Sequence, residues 1–467
     1  MKMWGGRFRQ PIDPEFQHWQ SSFEFDRRLL KYEVAASCAH ARALKNAGIL
    51  SSEELRAILQ GLQQIVAKAA SSSAFLEDEE AEDVHHFVQK QLASFIGEVA
   101  YKLHSGRSRN EQIATDLRLY IRASIDQLQN DLAEWLDILL ESAAQAQNAV
   151  MPAYTHLQRA EPVLVAHYLL AYVEMFLRDS GRLADCRTRL NVCPLGSGAV
   201  AGATIALDRR AMAAELGFSG PTANSIDATS DRDFVLELVN VLAMIALHLS
   251  RWAEEMILFS SEEFGFVRLP EAYSTGSSAM PQKKNPDLLE LTRGKVARVI
   301  AAANSLMIVT KGLPLAYNKD LQETQEPLFD AVATISALLP LASAWMKAAE
   351  FNYGRMREAA ETGFMNAWAA ATYLVHRGVP SALAHEQIGM AVQLCLEKGC
   401  GLDGLSLKEL RALDPVFDTD FYACLQLDSV LAIHDVAGGT APGRVRQAIL
   451  QAKQRIETIR EESHANA

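Results

Sequence analysis

The sequence predicts an all-α protein organised around a central bundle of five long helices. Apolar residues recur every three or four positions from residue 109 to residue 149, with no Gly or Pro between them, and four later stretches share this period. No segment between these stretches alternates with a period of two for long enough to predict a large sheet. Long helices without a sheet are typical of an up-down helical bundle.

The five long helices are expected to follow one another from residue 109 onward. The first should run for about 35 residues, a length that requires neighbouring helices to bury its apolar stripe. The other four are expected at about 161 to 190, 230 to 262, 287 to 311 and 324 to 350. Connectors that contain Gly or Pro separate them, as turns between neighbouring helices require.

The third long stretch is apolar on most of its circumference. One face carries Leu242, Ile245, Leu249, Trp252 and Met256, and a second face carries Val241, Ala243 and Leu247. A helix that is apolar on two faces lies at the centre of a bundle, which in a chain of this size indicates contact with other subunits. The sequence therefore predicts an oligomer.

Shorter helical segments flank the long ones and divide the chain into three predicted regions. The first hundred residues are interrupted by "NAGILSSEE" and "AKAASSSAFLEDEEAED", and the last hundred by "HRGVPSA", "KGCGLDG" and "DPVFD". We therefore expect a small N-terminal helical domain at 1–104, the long-helix bundle at 105–352 and a small C-terminal helical domain at 353–467.

The charge balance and the apolar pattern argue against several classes of partner. The 467 residues include 57 acidic and 45 basic ones, a formal net charge of −12, whereas binding to nucleic acids or membrane surfaces requires a basic face. We find neither a signal-peptide pattern nor an uncharged apolar run of about 18 residues, which predicts a cytoplasmic protein without a membrane span. The six cysteines form no CxxC pair and have no His at zinc spacing, so we expect reduced, mostly buried thiols.

Four polar stretches interrupt the pattern at helix ends, where unpaired backbone N–H groups favour anions. They are "EDVHHF" (82 to 87), "HSGRSRNEQ" (104 to 112), "MPAYTHLQRAEP" (151 to 162) and "STGSSAMPQKKNPD" (274 to 287), the last of which is too polar for a helix or a strand. The second presents Ser108, Arg109 and Asn110 at a helix start, a set of donors that suits a carboxylate or a phosphate. An exposed basic cap is the alternative.

The last two stretches contain groups suited to proton transfer. Thr155 and His156 lie between two prolines, and an imidazole that titrates near neutrality suits this role, although a lone His also serves as a structural hydrogen-bonding group. Ser277, Lys283 and Asn285 bring a hydroxyl, a cation and an amide together, with a solvated Gly/Ser loop as the alternative. No GxSxG, Walker A, GxGxxG or HExxH motif is present, so the sequence does not support serine-triad hydrolysis, nucleotide hydrolysis or zinc proteolysis.

These stretches resemble sequence blocks of one enzyme superfamily. "GSSAMPQKKNP" looks like the GSSxMPxKxNP signature of the fumarase/aspartase superfamily, and "PQKKNPD" followed by "LLELTRGK" is similar to the argininosuccinate lyases within it. The resemblance extends over almost the whole chain through "WGGRF" at 4–8, "EDVH" at 82–85, "HSGRSRNEQIATDLRLYIR" at 104–122, "THLQRAEP" at 155–162, "PLGSGAVAG" at 194–202, "NSIDATSDRDF" at 224–234, "LAYNKDLQE" at 315–323 and "GGTAP" at 438–442.

The resemblance implies a fold, an assembly and a reaction. Members of the family are homotetramers with a twenty-helix core, and loops of three chains form each active site. Argininosuccinate lyases split argininosuccinate into arginine and fumarate in arginine biosynthesis, without a metal or an organic cofactor. Other enzymes of the superfamily, such as aspartase, fumarase and adenylosuccinate lyase, are alternatives. A non-enzymatic protein like the lens crystallins that share the fold is another.

Residue by residue, the resemblance implies roles for the polar groups. Ser277 matches the general base that removes a proton next to a carboxylate, and Lys283 and Asn285 match groups that hold this carboxylate. His156 matches a histidine assigned as proton donor or relay, with Glu290 as its partner, and the group that protonates the leaving guanidinium stays open. The residues that match contacts to the fumarate half are Ser108, Arg109, Asn110 and Thr155. The residues that match positions near the arginine half or in the pocket wall are Ser22, Asp26, His85, Tyr317 and Gln322.

One position departs from the family's pattern. "LAYNKDLQE" usually continues with "DK", whereas here it continues with "TQ", so that Gln325 replaces a lysine that helps to bind substrate. Loss of this cation would weaken binding of an anionic substrate or change the specificity.

Overall fold

The computed structural model describes the backbone of residues 10–466 and the side chains of residues 10–461. The "WGGRF" block at 4–8 therefore lies outside the described residues. In the described chain, the first five α-helices are α1 (Pro14–Trp19), α2 (Phe23–Asp26), α3 (Leu30–Asn46), α4 (Ser52–Ser71) and α5 (Val84–Ile96).

Long helices dominate the middle of the chain. They and two short helices are α6 (Arg109–Ala146), α7 (Val165–Leu190), α8 (Arg209–Glu215), α9 (Ser225–Ser230), α10 (Asp233–Ser260), α11 (Asp287–Thr310) and α12 (Gln325–Ala348). The C-terminal helices are α13 (Tyr353–Ala360), α14 (Ala367–His376), α15 (Ser381–Lys398), α16 (Leu407–Leu413), α17 (Phe421–Cys424), α18 (Leu427–Ala432) and α19 (Pro442–Asn466). The prediction of an all-α fold with five long helices is confirmed.

Within the described residues, extended structure is limited to short antiparallel pairs and one isolated parallel bridge between Cys193 and Pro221. The strands are β1 (Val150–Thr155), β2 (Gln158–Leu164), β3 (Val267–Arg268), β4 (Thr275–Gly276), β5 (Lys284–Asn285) and β6 (Glu350–Phe351), and they pair as β1–β2, β3–β6 and β4–β5. Two expectations are corrected here. The second long helix begins at Val165 rather than near residue 161, because the preceding residues form β2. The 274 to 287 loop, expected to contain no strand, is closed by β4 and β5.

The chain divides into two compact units. Unit 1 comprises Met1–Leu128, Gly181–Met244 and Ala297–Ile335, and unit 2 comprises Gln129–Ser180, Ile245–Val296 and Ser336–Ala467. Each of the five long helices therefore contributes residues to both units. The predicted division into domains 1–104, 105–352 and 353–467 stays a prediction.

Aromatic side chains fill the core of unit 2. The rings of Trp135 on α6 and Trp345 on α12 each meet Trp252 of α10 edge-on, at centroid distances of 5.1 and 5.3 Å, and all three side chains are fully buried. Edge-to-face pairs of this kind stabilise a core beyond the apolar area that they bury. The six cysteines are free, as predicted, and none of them is exposed.

The helix expected to be apolar on two faces is α10. Leu242, Ile245 and Trp252 on its first face are fully buried, whereas Leu247 on the second face is 43% exposed. By length and composition, α10 and the segment Lys319–Ala348 could cross a membrane, but 56% and 61% of their most apolar windows are buried inside the protein. Such burial is typical of core helices.

Candidate active site

The two units share the predicted site residues between them. Unit 1 contains Ser22, Asp26, His85, Ser108, Arg109, Asn110, Tyr317 and Gln322. Unit 2 contains Thr155, His156, Ser277, Lys283, Asn285 and Glu290. The first set lies around the start of α5, at the start of α6 and in the loop before α12, and the second set lies on a hairpin, in the loop before α11 and on the first turn of α11.

Asp26 is buried at the start of α5. Its Oδ2 accepts a hydrogen bond from Ser22 Oγ at 2.7 Å and its Oδ1 accepts one from the backbone N–H of Val84 at 3.0 Å. Burial, reinforced by the neighbouring Asp83 carboxylate, raises the pKa of Asp26 to about 7. Asp26 therefore binds and releases a proton near neutrality.

Arg109 is the first residue of α6 and faces the acidic residues that precede α5. Its Nη1 lies 2.9 Å from Asp83 Oδ2 and 3.1 Å from Glu82 Oε2. Asp83 also caps α5, because its Oδ1 accepts a hydrogen bond from the N–H of His86 at 2.7 Å. Beside Arg109, Ser108 Oγ accepts a hydrogen bond from the backbone N–H of Asn110 at 3.2 Å.

The loop before α12 supplies the other predicted groups of unit 1. Gln322 donates from Nε2 to the carbonyl of Gln20 at 3.2 Å and is buried. Tyr317 is half-buried, and this burial raises the pKa of its hydroxyl. Gln325, at the position where the resemblance implies a lysine, is the first residue of α12 and is 3% exposed. Its buried Oε1 accepts no hydrogen bond.

His85 lies on the first turn of α5, above a pair of buried carboxyl groups. Its Nδ1 is 2.8 Å from Glu33 Oε2 and 3.7 Å from Asp116 Oδ2. Within the described residues, these three side chains are the group whose ligand atoms lie close enough together, within 4.8 Å, to be considered for a metal ion. The guanidinium of Arg107 disfavours a cation there, because its Nη2 lies 3.5 Å from Glu33 Oε1.

His156 lies at the tip of the hairpin formed by β1 and β2. Thr155 pairs with Gln158, so His156 and Leu157 form a two-residue turn with φ angles of 55° and 58°. Positive φ angles at both turn residues match the turn that two-residue hairpins favour. Such angles are costly for residues other than Gly, Asn and Asp. The stretch is not the loop beside a helix N-terminus that the sequence predicts; instead, the hairpin places an exposed imidazole at its tip.

Ser277 lies in the loop between β4 and β5. Its Oγ accepts hydrogen bonds from the backbone N–H groups of Ala279 and Met280, at 3.2 and 3.1 Å. Two N–H dipoles aimed at one oxygen favour negative charge on it, which is the arrangement that a serine alkoxide requires. The side chain is only half-buried, so substrate can reach it.

The same loop carries the remaining predicted groups of unit 2. Lys283 is exposed, and Asn285 reaches back across the loop, with its Nδ2 3.4 Å from the carbonyl of Gly276. Asp287, at the start of α11, closes the loop because its Oδ2 accepts hydrogen bonds from the N–H and the Oγ1 of Thr275, at 3.0 and 2.6 Å. Glu290 is exposed on the first turn of α11.

Comparisons with known proteins first define the class. Residues 6–301 match the family model described as lyase. The crystal structure of EDDS lyase in complex with formate matches with a TM-score of 0.86 and 26% identity, covering 98% of this chain and 93% of that one. The class II fumarase of Schistosoma mansoni shares the fold, with a TM-score of 0.74 and 16% identity over 85% of this chain and 90% of that one. The chain therefore belongs to the lyase family that this model describes, and its fold is the one that EDDS lyase and the class II fumarase share.

More similar sequences identify the family within this class. Residues 364–432 match the model described as argininosuccinate lyase C-terminal. The argininosuccinate lyase of Acidobacterium capsulatum is 56% identical over 487 aligned residues, and that of Koribacter versatilis is 57% identical over 467, each match covering all of both chains. The chain belongs to the argininosuccinate lyase family.

The sequence analysis missed the side chains that support the predicted site residues. Glu33, Ser37 and His40 recur at i, i+4 and i+7 on a helix that is otherwise rich in alanine, so they lie on one face of α3. Gln112 and Asp116 have the same spacing on α6. Polar residues at helical spacing on a buried face were the signal that could have revealed this cluster.

Proposed function

We propose that this protein is a carbon–nitrogen lyase that splits argininosuccinate into arginine and fumarate, in the cytoplasm and as part of arginine biosynthesis. The observation that carries the proposal is the Ser277 loop, in which two backbone N–H groups point at the serine oxygen. Its support is the full-length similarity to argininosuccinate lyases at 56% and 57% identity.

In this mechanism, Ser277 Oγ removes a proton from the carbon next to a substrate carboxylate. Charge then accumulates on that carboxylate as an aci-carboxylate dianion, where the ammonium of Lys283 and the amide of Asn285 stabilise it. The bond between carbon and the guanidino nitrogen breaks, its electron pair leaves with the nitrogen, and fumarate forms. The nitrogen takes up a proton, for which His156, paired with Glu290, is the candidate donor or relay.

The proposed roles belong to residues of both units, and we propose that a homotetramer assembles each site from three chains. Large apolar side chains are exposed on the long helices, where other copies of the chain would cover them: Leu247, Leu291, Met307, Ile308 and Leu341 are between 43% and 63% exposed. In unit 1, Ser108, Arg109 and Asn110 would contact the fumarate half, with Thr155 from unit 2. Asp26, His85 and Tyr317 would face the arginine half.

A spectrophotometric assay tests the proposal directly. The purified protein is given argininosuccinate, aspartate, malate, adenylosuccinate or EDDS in turn, and the absorbance of fumarate is followed. EDDS is included because EDDS lyase, solved as a variant with bound fumarate, matches with a TM-score of 0.84. We expect fumarate from argininosuccinate alone at a substantial rate. Release from another substrate instead would contradict the proposed specificity, and no release from any would support a non-enzymatic role.

A further inference from the structure

The two carboxyl groups beneath His85 have very different surroundings. Glu33 is surrounded by donors: Ser37 Oγ donates to its Oε1 at 2.7 Å, and Gln112 Nε2 lies 3.0 and 3.2 Å from its two oxygens. Nδ1 of His85 lies 2.8 Å from Oε2, and the Arg107 guanidinium lies 3.5 Å from Oε1. Such a shell stabilises a buried carboxylate in its charged form.

Asp116 lacks a comparable set of donors. It is fully buried, and neither of its oxygens accepts a hydrogen bond, although one of them lies within 4.8 Å of a Glu33 oxygen. The nearest cationic group is His85 Nδ1, 3.7 Å away and already directed at Glu33. A carboxylate without donors is costly to bury, whereas a carboxylic acid carries no charge and can itself donate a hydrogen bond.

The directions of the pKa shifts agree with this asymmetry. Burial and the Glu33 charge together raise the pKa of Asp116 well above its usual range. Burial alone would also raise the pKa of Glu33, but Arg107 and His85 outweigh burial and hold it below its usual range. For His85, burial opposes the charged form, but the Glu33 carboxylate outweighs this and raises the pKa of the imidazole.

We propose that Glu33 and Asp116 are positioning residues that share one proton, with Asp116 as the neutral acid and Glu33 as the carboxylate that keeps His85 cationic. Because Nδ1 of His85 is held by Glu33, Nε2 is the nitrogen left to donate to a carboxylate of the substrate. Argininosuccinate carries three carboxylates, so an imidazolium on the arginine side contributes to binding. This inference rests on the proposed assignment of His85 to the substrate site.

The other titratable groups around the cluster do not replace the charge of His85. Burial, with a contribution from Arg107, lowers the pKa of His40 to about 3 and that of His104 to about 4, so both imidazoles are neutral. The remaining titratable or charged groups that face the cluster of His85, Glu33 and Asp116 are Asp26, Asp83 and Arg107. Since the pKa of His85 is raised, the imidazole keeps its charge to higher pH than an ordinary histidine and loses it as the pH rises through that raised value.

Two substitutions at Asp116 and one at Glu33 separate the roles of the pair. In full-length protein, Asp116→Asn keeps a neutral donor beside Glu33, whereas Asp116→Ala removes it and Glu33→Gln removes the charge. We expect Asp116→Ala and Glu33→Gln to raise KM for argininosuccinate about tenfold with a smaller change in kcat, as for a binding effect. Asp116→Asn should restore KM to within about threefold of the parent.

The pH dependence of KM gives a readout that a structural defect would not produce. Between pH 6 and 9, the rise in KM caused by deprotonation of His85 should occur at lower pH in Glu33→Gln than in the parent and Asp116→Asn. Asp179→Asn is the control, because Asp179 is a fully buried carboxylate 2.6 Å from Nδ1 of another histidine, His248. It should lower the denaturation temperature without moving the pH profile.

The opposite pattern of effects would overturn the inference. If Asp116→Asn is as damaging as Asp116→Ala, the cluster needs a charged Asp116, as a cation site would. If Glu33→Gln does not fold, the comparison of the two Asp116 variants still decides. A parent protein that releases no fumarate from argininosuccinate contradicts the proposed function itself. If the parent is active but the KM values of the variants do not follow the expected order, only the pairing of Glu33 with Asp116 is contradicted.

Discussion

At the scale of single residues, Ser277 is the group on which the proposed chemistry depends most. Ser277→Ala should lower kcat by at least about 100-fold, since it removes the proposed general base. The loop side chain contributes little packing, so helix content, oligomeric state and denaturation temperature should stay unchanged. Steady-state fumarate release, circular dichroism and light scattering measure these quantities. Ser278→Ala, the exposed neighbouring hydroxyl, is the matched control and should retain most activity. Activity of Ser277→Ala above about a tenth of the parent's would remove Ser277 as the base.

Asp26 connects the site to the pH dependence of stability. Its pKa rises from 3.8 to about 7 in the folded protein, so the folded state holds this proton more tightly than the unfolded chain. The stability due to this proton is full below the unfolded pKa and is lost as the pH rises through about 7. In the Asp26→Asn variant, the amide side chain does not titrate, so this pH-dependent contribution to stability is absent. The free energy of unfolding of the variant minus that of the parent should therefore increase by roughly 2–4 kcal/mol as the pH rises from 4 to 8.

Chemical denaturation at several pH values measures this difference in stability for Asp26→Asn, and the activity assay measures the accompanying loss of turnover. If Asp26 contacts substrate as proposed, the variant should be stable at pH 8 and yet impaired in turnover. Ser22→Ala is a useful comparison, because it removes only the hydrogen bond from Ser22 Oγ to Asp26 and leaves the carboxyl group in place. A constant difference between Asp26→Asn and the parent at every pH would contradict the raised pKa.

At the scale of elements, the long helices could be predicted from sequence and the hairpin that carries His156 could not. Helical period over tens of residues is a strong signal, and the ends of α6 lie within a few residues of their predicted positions. The turn of the hairpin contains His156 and Leu157, neither of which favours positive φ, so the usual Asn-Gly signal is missing. Pro152 and Pro162 pair across β1 and β2, and prolines at these positions make the sequence of the stretch look like a loop.

The buried pair below His85 escaped prediction for a different reason. Single-sequence analysis finds polar residues in polar stretches, whereas Glu33 and Asp116 lie on the buried faces of amphipathic helices. Their partnership is set by the packing of α3 against α5 and by the start of α6, which sequence spacing alone does not fix. The predicted roles of the site residues themselves stay predictions.

The base of the Ser277 loop gives a prediction about a local element. Asp287 accepts two hydrogen bonds from Thr275, so Asp287→Ala should loosen the loop, lower kcat about tenfold and speed tryptic cleavage after Lys283 and Lys284. Glu271→Gln is the control, because the ion pair of Glu271 with Lys284 is exposed at the protein surface, where such pairs contribute little. Equal cleavage rates in the two variants would show that Asp287 does not hold the loop.

At the scale of the whole molecule, the predicted site residues are divided between the two units, and the proposed function assembles them across the chains of an oligomer. Asp26, His85 and Arg109 belong to unit 1, whereas His156 and Ser277 belong to unit 2. The long helices α10, α11 and α12 expose large apolar side chains, for which a second copy of the chain is the expected cover. A dissociated chain should therefore be inactive as well as prone to aggregate.

Mixed oligomers test whether His156 and Ser277 reach one site from different chains. Ser277→Ala and His156→Asn should each be inactive alone, but a hybrid can contain a site in which both contributing chains carry the intact residue. After random mixing in equal amounts, each of the two is intact half the time, so about a quarter of the sites should recover in a closed symmetric oligomer. The variants are dissociated, reassociated together, and compared with each variant treated alone by fumarate release. If mass analysis confirms hybrids and activity stays at the parental variants' level, both residues come from one chain or one of them is not required, and the shared-site proposal is wrong.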